Sequence, residues 1–276
     1  MTIGAGLGLK PQHYAEATGD RRPGLWFEVH PENYMVEGGP RLTALERVRA
    51  EHPLSLHGVG LSLGGPDPLD QAHLKRFRAL IDRFAPFAVS EHLAWSRFEG
   101  RSVPELLPVL RTSSELQRIA ERIDATQTAL GRALLIENPS HYLNLRGQDY
   151  DETDFLSELV QRTGCGLLVD LNNVFVSARN IGIDPLIWLH AIPAQAVGEI
   201  HVAGHSEDPV RGAQLLIDSH DRPVAEGVWA LLDAALDLWG PRPVLIERDG
   251  EVPAYAELIA ERERAQARLQ KGRVAA

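Results

Sequence analysis

At 276 residues, 44% hydrophobic and 24% charged, the chain has the composition of a globular protein that can bury a sizeable core. A net charge of -10 argues against a nucleic-acid backbone as partner and suits a site whose carboxylates are neutralised by cations. The single cysteine, Cys165, excludes an internal disulfide and a cysteine-rich zinc site.

In chain order, strand-like apolar runs fall at 3–9, 25–29 and 54–59. A helix is predicted over 69–84, with Leu74, Phe77, Leu80, Ile81 and Phe84 at amphipathic spacing. A fourth strand (88–93) leads to a helix over 113–130 carried by Leu116, Ile119, Ile123 and Leu130, with Thr112, Ser113 or Ser114 as its cap. Strand five (133–137), a helix (151–162) and strand six (166–171) follow, with Cys165 read as a small packed residue at the start of that strand. Strand seven (197–202), a helix (225–238), strand eight (243–247) and a helix (254–269) complete the pattern, and the tail after Leu269 is expected to fray.

Eight short, mostly continuous apolar strands alternating with helices indicate a parallel sheet covered on its outside. At this length a closed (β/α)8 TIM barrel, one α/β domain over 1–276, fits better than an open doubly wound sheet. The N-terminus lacks a signal-peptide pattern, and no apolar run approaches the ~18 residues of a membrane helix. The expectation is a cytoplasmic protein with neither membrane nor nucleic acid as partner.

Polar residues mark the strand ends, where barrels of this kind place their chemistry. His57, His92, Glu137, Asp170, His201 and Glu247 sit on or just after strand tips, while Asn173, Asp218 and His220 lie on the connections. Nitrogen and oxygen donors without cysteine suit two or three borderline divalent ions: iron, manganese or zinc. Taken singly, each has an ordinary reading. A terminal His is commonly a satisfied polar residue, 217–221 reads as a polar turn, and 170–173 as a turn opening a helix. Their convergence at one end of one fold is what favours a metal site. Glycine-containing loops at 61–66 and 97–101 lie at the expected mouth, as grips for a substrate or as plain connections.

Six segments carry a resemblance. They are Phe27-Glu28-Val29-His30-Pro31-Glu32-Asn33-Tyr34-Met35, Ser55-Leu56-His57-Gly58-Val59-Gly60-Leu61-Ser62, Ser90-Glu91-His92-Leu93-Ala94-Trp95, Ile136-Glu137-Asn138-Pro139-Ser140, Asp170-Leu171-Asn172-Asn173-Val174 and Gly198-Glu199-Ile200-His201-Val202-Ala203-Gly204-His205. In this order, across residues 4 to about 260, they closely resemble the multinuclear non-heme iron-dependent oxidases. These are xylose-isomerase-like TIM barrels that modify ribosomally synthesised precursor peptides, as in copper-binding methanobactin and the bufferin group.

Carried over position by position, the resemblance implies a first iron on His57, His92 and Glu137 and a second on Glu137, Asp170, His201 and Glu247. A third would sit on Asn173, Asp218 and His220 and be the most easily lost, because a neutral amide is a poor donor. Glu28, Glu91, Asn138 and Asn172 would support the ligands from behind and fix imidazole tautomers, with His205 at the rim as a substrate or supporting group. The resemblance further implies mixed-valence Fe(II)/Fe(III), O2 as co-substrate, a cysteine-containing precursor peptide and a separate leader-binding partner. The product would be an oxazolone- or thiooxazole-type heterocycle serving copper homeostasis. Departures from the family pattern, such as Arg248 where relatives carry Trp after the Glu, line the mouth and remove no proposed ligand. Rival readings of the same donors are a divalent-metal-dependent hydrolase or isomerase of the endonuclease IV/xylose isomerase type, and a metal-storing scaffold without catalysis.

Overall fold

The computed structural model describes residues 3–274. Its strands are β1 (Ala5–Gly8), β2 (Phe27–Val29), β3 (Leu54–Gly58), β4 (Ala88–His92), β5 (Trp95–Phe98), β6 (Arg101–Leu107), β7 (Leu135–Glu137), β8 (Gly166–Asp170), β9 (Val197–Val202), β10 (Ser206–Asp208), β11 (Gly212–Ile217) and β12 (Val244–Ile246). Eight of these, in the order β1-β2-β3-β4-β7-β8-β9-β12, form a parallel barrel that closes where β12 pairs with β1. The predicted closed barrel is the fold observed, with β9 at its predicted bounds and the other seven strands trimmed by one to three residues.

The helices are α1 (Tyr14–Gly19), α2 (Pro40–Glu51), α3 (Gln71–Phe84), α4 (Ser113–Leu130), α5 (Glu152–Thr163), α6 (Leu171–Ile181), α7 (Pro185–Ala191), α8 (Glu226–Trp239) and α9 (Tyr255–Val274). In α3 the apolar stripe Leu74, Phe77, Ile81 and Phe84 is buried, and Asp70 caps the helix by accepting from the N–H groups of Ala72 (2.9 Å) and His73 (3.0 Å). Thr112 is the cap of α4, accepting from Glu115 N at 3.3 Å. Cys165 is a buried free thiol inside the core, as its small-residue reading requires.

Sequence patterning missed α1, α2 and α7, and of α6 it offered only the opening turn at 170–173. In α6 the reason is visible: Asn172 and Asn173 are buried polar residues that interrupt the apolar period, because that face of the helix lines the polar mouth. The hairpins β5–β6 and β10–β11 were missed because β6 is almost wholly exposed and the other three strands are mostly half-buried, with no regular apolar alternation. Residues 97–101, expected as a loop, are the end of β5, the turn and the first residue of β6. The tail also differs from expectation. Helix α9 continues past the buried Leu269 to Val274, through Gln270, Lys271 and Arg273, good helix formers that outweigh Gly272. Ala275 and Ala276 lie outside the described residues.

The mouth is held by arginines on α4. Arg118 donates to the carbonyls of Gly65 (2.5 Å) and Gly64 (2.8 Å), and Arg122 to those of Leu63 (3.2 Å) and Asp67 (2.7 Å). The 62–67 loop, which lacks its own backbone ladder, thereby has its carbonyls satisfied. No helix among the described residues is long and apolar enough to cross a membrane.

Candidate metal centre

Successive side chains of a strand alternate between faces, so one residue near each tip points into the barrel. Register then decides which inward residues meet. His92 on β4 lies opposite Glu137 on β7, and Asp170 on β8 opposite His201 on β9.

The Nε2 atoms of His57 and His92 lie 3.1 and 3.0 Å from the same carboxylate oxygen of Glu137, and 3.2 Å from each other. His92 Nδ1 donates to the carbonyl of Gly58 at 3.0 Å, which leaves Nε2 of the neutral ring with a lone pair. His57 Nδ1 contacts Ser90 Oγ at 2.8 Å. Gly58 permits this packing, since a Cβ there would come within 2.7 Å of Glu91 Oε2.

Glu137, Asp170 and His201 form a second group, and Asp170, His220 and Glu247 a third, the donor atoms in each group lying within 4.8 Å of one another. Asp170 caps α6, Oδ1 accepting from Asn173 N at 2.7 Å, so the turn that opens a helix and the donor position are the same residue. His201 Nδ1 is 3.0 Å from Glu247, and His220 Nε2 is 2.7 Å from Asp218. The structure thus brings His220 to Asp170 and Glu247 as well as to Asp218. Asn173 donates to the carbonyl of Asn138 at 2.9 Å and leaves its own Oδ1 buried without a donor.

The supporting residues divide by what they touch. Glu28 Oε2 is 3.4 Å from His201 Nε2. Asn172 donates to Asp218 at 2.7 Å and accepts from His205 Nδ1 at 2.8 Å, with the His205 ring stacked on Phe175 at the rim. Asn138 acts on backbone, and Glu91 on backbone and on the His92 ring, its Oε1 lying 3.7 Å from His92 Nδ1. Glu91 accepts from the N–H groups of Leu61 and His92, and Asn138 brackets both the N–H and the carbonyl of Asp170.

Sequence reasoning overlooked four participants. Glu199, fully buried beneath His201, accepts from Ser55 Oγ at 3.1 Å and lies 3.4 Å from His201 Nε2. Period-2 alternation along β9 puts residues 199 and 201 on one face, a signal that was available. His30 and Asp249 gather with Glu247, and the Tyr142 hydroxyl accepts from Asp218 N at 3.0 Å. Only tertiary contact reveals these three.

The charges are unbalanced. Burial pushes Asp170 up to about 8, helped by Asp218, Glu137 and Glu247 against the opposing His220. Burial likewise lifts Glu199 to about 7, with Glu28 adding to it. Burial opposes charge on His92, His201 and His220 too, yet the neighbouring carboxylates hold all three well above the usual imidazole value. Asp170 Oδ2 and Asn173 Oδ1 are buried oxygens with no hydrogen-bond donor, and Glu137 Oε2 has only the His57 and His92 imidazole nitrogens beside it. Orphaned acceptors of this kind are costly. A cation would satisfy oxygens and imidazole lone pairs together, so the donor set fits bound metal. Nitrogen and carboxylate donors without thiolate suit iron, manganese or zinc. The cluster faces a cavity of about 560 Å³ lined by His92, Glu137 and His220 together with residues of β6.

The RiPP precursor modification enzyme family MbnB/TglH/ChrH matches residues 4–270 of this sequence. A UPF0276 protein of Caulobacter vibrioides is 58% identical over 275 residues, covering 100% of this chain and 98% of its own. Among solved structures, a xylose isomerase-like TIM barrel protein from Mycobacterium smegmatis in complex with magnesium has a TM-score of 0.61 at 15% identity, with 98% of this chain and 97% of that one covered. Endonuclease IV from Thermus thermophilus has a TM-score of 0.56 at 18% identity, with 97% and 99% covered. At such identities the likeness carries the fold alone, a xylose isomerase-like TIM barrel.

Proposed function

The chain belongs to the MbnB/TglH/ChrH family of RiPP precursor modification enzymes, and on that premise we propose that it is an iron- and O2-dependent oxidase acting on cysteine residues of a ribosomally synthesised precursor peptide. The product would be an oxazolone- or thiooxazole-type heterocycle, made in the cytoplasm on a peptide delivered by a separate leader-binding partner and used in copper homeostasis. The observation that carries the reading is the pair of buried, donorless oxygens of Asp170 and Asn173 close to Glu137, whose carboxylate meets two imidazoles with their outer nitrogens already engaged.

In this proposal His57, His92 and Glu137 hold one iron, and Glu137, Asp170, His201 and Glu247 a second. Asn173, Asp218 and His220 serve a weaker third. Bound iron supplies Lewis acidity that favours thiolate over thiol and a redox centre for oxygen. The chain's own residues do the rest. Gly58 and Ser90 orient the imidazoles, Asn138 fixes the backbone on either side of the Asp170 Cα, and Asn172 braces Asp218. The cavity, about 560 Å³, is wide enough for a peptide side chain, which would keep both reactants near the same donors.

The test is oxygen uptake by protein loaded anaerobically with iron, on mixing with a cysteine-containing precursor peptide and its leader-binding partner. Uptake with a matching mass loss on the peptide is expected, and none with the Cys→Ser peptide. Hydrolysis of an abasic duplex under nitrogen, with no oxygen uptake on the peptide, would replace this reading with the hydrolase.

A further inference from the structure

The two edges of the β5–β6 hairpin are unlike. The outer edge of β5 is occupied, the N–H groups of Ser96 and Arg97 donating to Ser62 Oγ at 3.0 and 3.1 Å. The turn is tied down by Asp67, which accepts from Glu99 N and Gly100 N at 2.9 Å each. Strand β6 has the free edge. Among the described residues it makes no backbone hydrogen bond outside its pairing with β5. Arg97 stands opposite Ser102 and Trp95 opposite Leu107, so Val103–Leu106 face Ser96 alone.

Every residue from Arg101 to Leu106 is exposed, including Val103 at 39% and Leu106 at 45%, with Phe98 at 51% on the adjoining strand. An exposed, partly apolar edge is ordinarily a liability. Here it is continuous with the site, because Ser102, Val103, Pro104, Glu105 and Leu106 line the same cavity as His92, Glu137 and His220.

We propose that β6 is the docking strand for the substrate, an extended segment of the precursor peptide pairing with the Ser102–Leu106 edge so that alternate side chains face the metal centre. The inference rests on the reading of the protein as a peptide-modifying enzyme. Main-chain pairing gives affinity with little demand on sequence, while Val103, Leu106 and Phe98 offer apolar contacts for the flanking side chains. Side chains on one face of an extended peptide are about 6.6 Å apart, so the edge presents one cysteine at a time. Pro104 contributes no N–H, so a strand that pairs here does so through the N–H and carbonyl groups of the residues on either side of it.

The test uses the intact metal-loaded protein without oxygen, so that failure of the oxidase chemistry leaves it untouched. The probe is a pool of acetylated, amidated heptapeptides with cysteine at the central position and random residues elsewhere. One retained peptide is remade with N-methyl amides at alternate positions in two complementary series. Edge pairing predicts that one series loses affinity by about tenfold or more while the other keeps it. The double variant Val103→Pro, Glu105→Pro should weaken the parent peptide to a similar extent with metal content unchanged. Equal binding by both series, undiminished binding to the double variant, or no retained peptide at all would overturn the assignment. So would self-association of the protein that the double variant abolishes, since the edge would then serve a second copy.

Discussion

The Nδ1–H of His92 donates to the backbone carbonyl of Gly58 across 3.0 Å, from one strand tip to its neighbour. That bond ties the ring's tautomer to the closure of the barrel. With Nδ1 committed, Nε2 of the neutral ring is a bare donor beside Glu137. His57 is held by a single hydroxyl, which makes its support separable by mutation.

Ser90→Ala removes the 2.8 Å contact to His57 Nδ1 and leaves the ligand atoms in place. Metal affinity should fall by about 10- to 100-fold, the usual effect of losing a supporting bond. Titration of the metal-free protein with Fe(II) against a competing chelator measures it. His92→Ala should lose metal and turnover together, and full iron content in that variant would remove His92 from the donor set.

Chelation should leave the barrel folded and less stable. An ion that binds only the native state stabilises by about 2.7 kcal/mol at a hundred times its Kd. For a chain of this size that is a rise in Tm of roughly 5 °C. Calorimetry across a series of free-metal concentrations reads the shift, and a Tm independent of metal would contradict a cation at the orphaned oxygens of Asp170 and Asn173.

Asn172→Asp replaces the amide that donates to Asp218 at 2.7 Å with a second carboxylate. Repulsion should displace Asp218 and with it His220, whose Nε2 is 2.7 Å away. The expected result is loss of the most weakly held ion with the others retained. Metal stoichiometry before and after extensive dialysis decides it; uniform loss of all metal would assign Asn172 a wider role.

Asp70→Ala tests the frame instead of the site. Loss of the α3 cap should destabilise by about 1 kcal/mol at neutral pH. The N–H of His73 is the leading cause that holds the Asp70 carboxyl below its ordinary value of 3.8. A group with a depressed native pKa stabilises fully above its unfolded pKa, and that stability is lost as pH falls through the native value. The gap between parent and variant in denaturant midpoints should therefore be constant from neutral pH to about pH 5 and narrow below 3.8. A gap independent of pH would show that the carboxylate's charge is irrelevant to the cap.

The alternation of apolar strands with amphipathic helices was enough to specify the closed barrel, because burial on both faces leaves a direct mark on residue choice. The polar strand tips His57, His92, Glu137 and Asp170 were legible for the complementary reason: each interrupts a run that has no other need of it. What the sequence could not determine is how those side chains group. Strand register put His92 opposite Glu137, and a hairpin insertion returned Asp218 and His220 to the mouth. The gathering of His30 and Asp249 with Glu247, and the free edge of β6 at the cavity, likewise came from tertiary structure. Linear order records which residues a strand buries, but distances between strand tips are set by barrel closure, which no local pattern encodes.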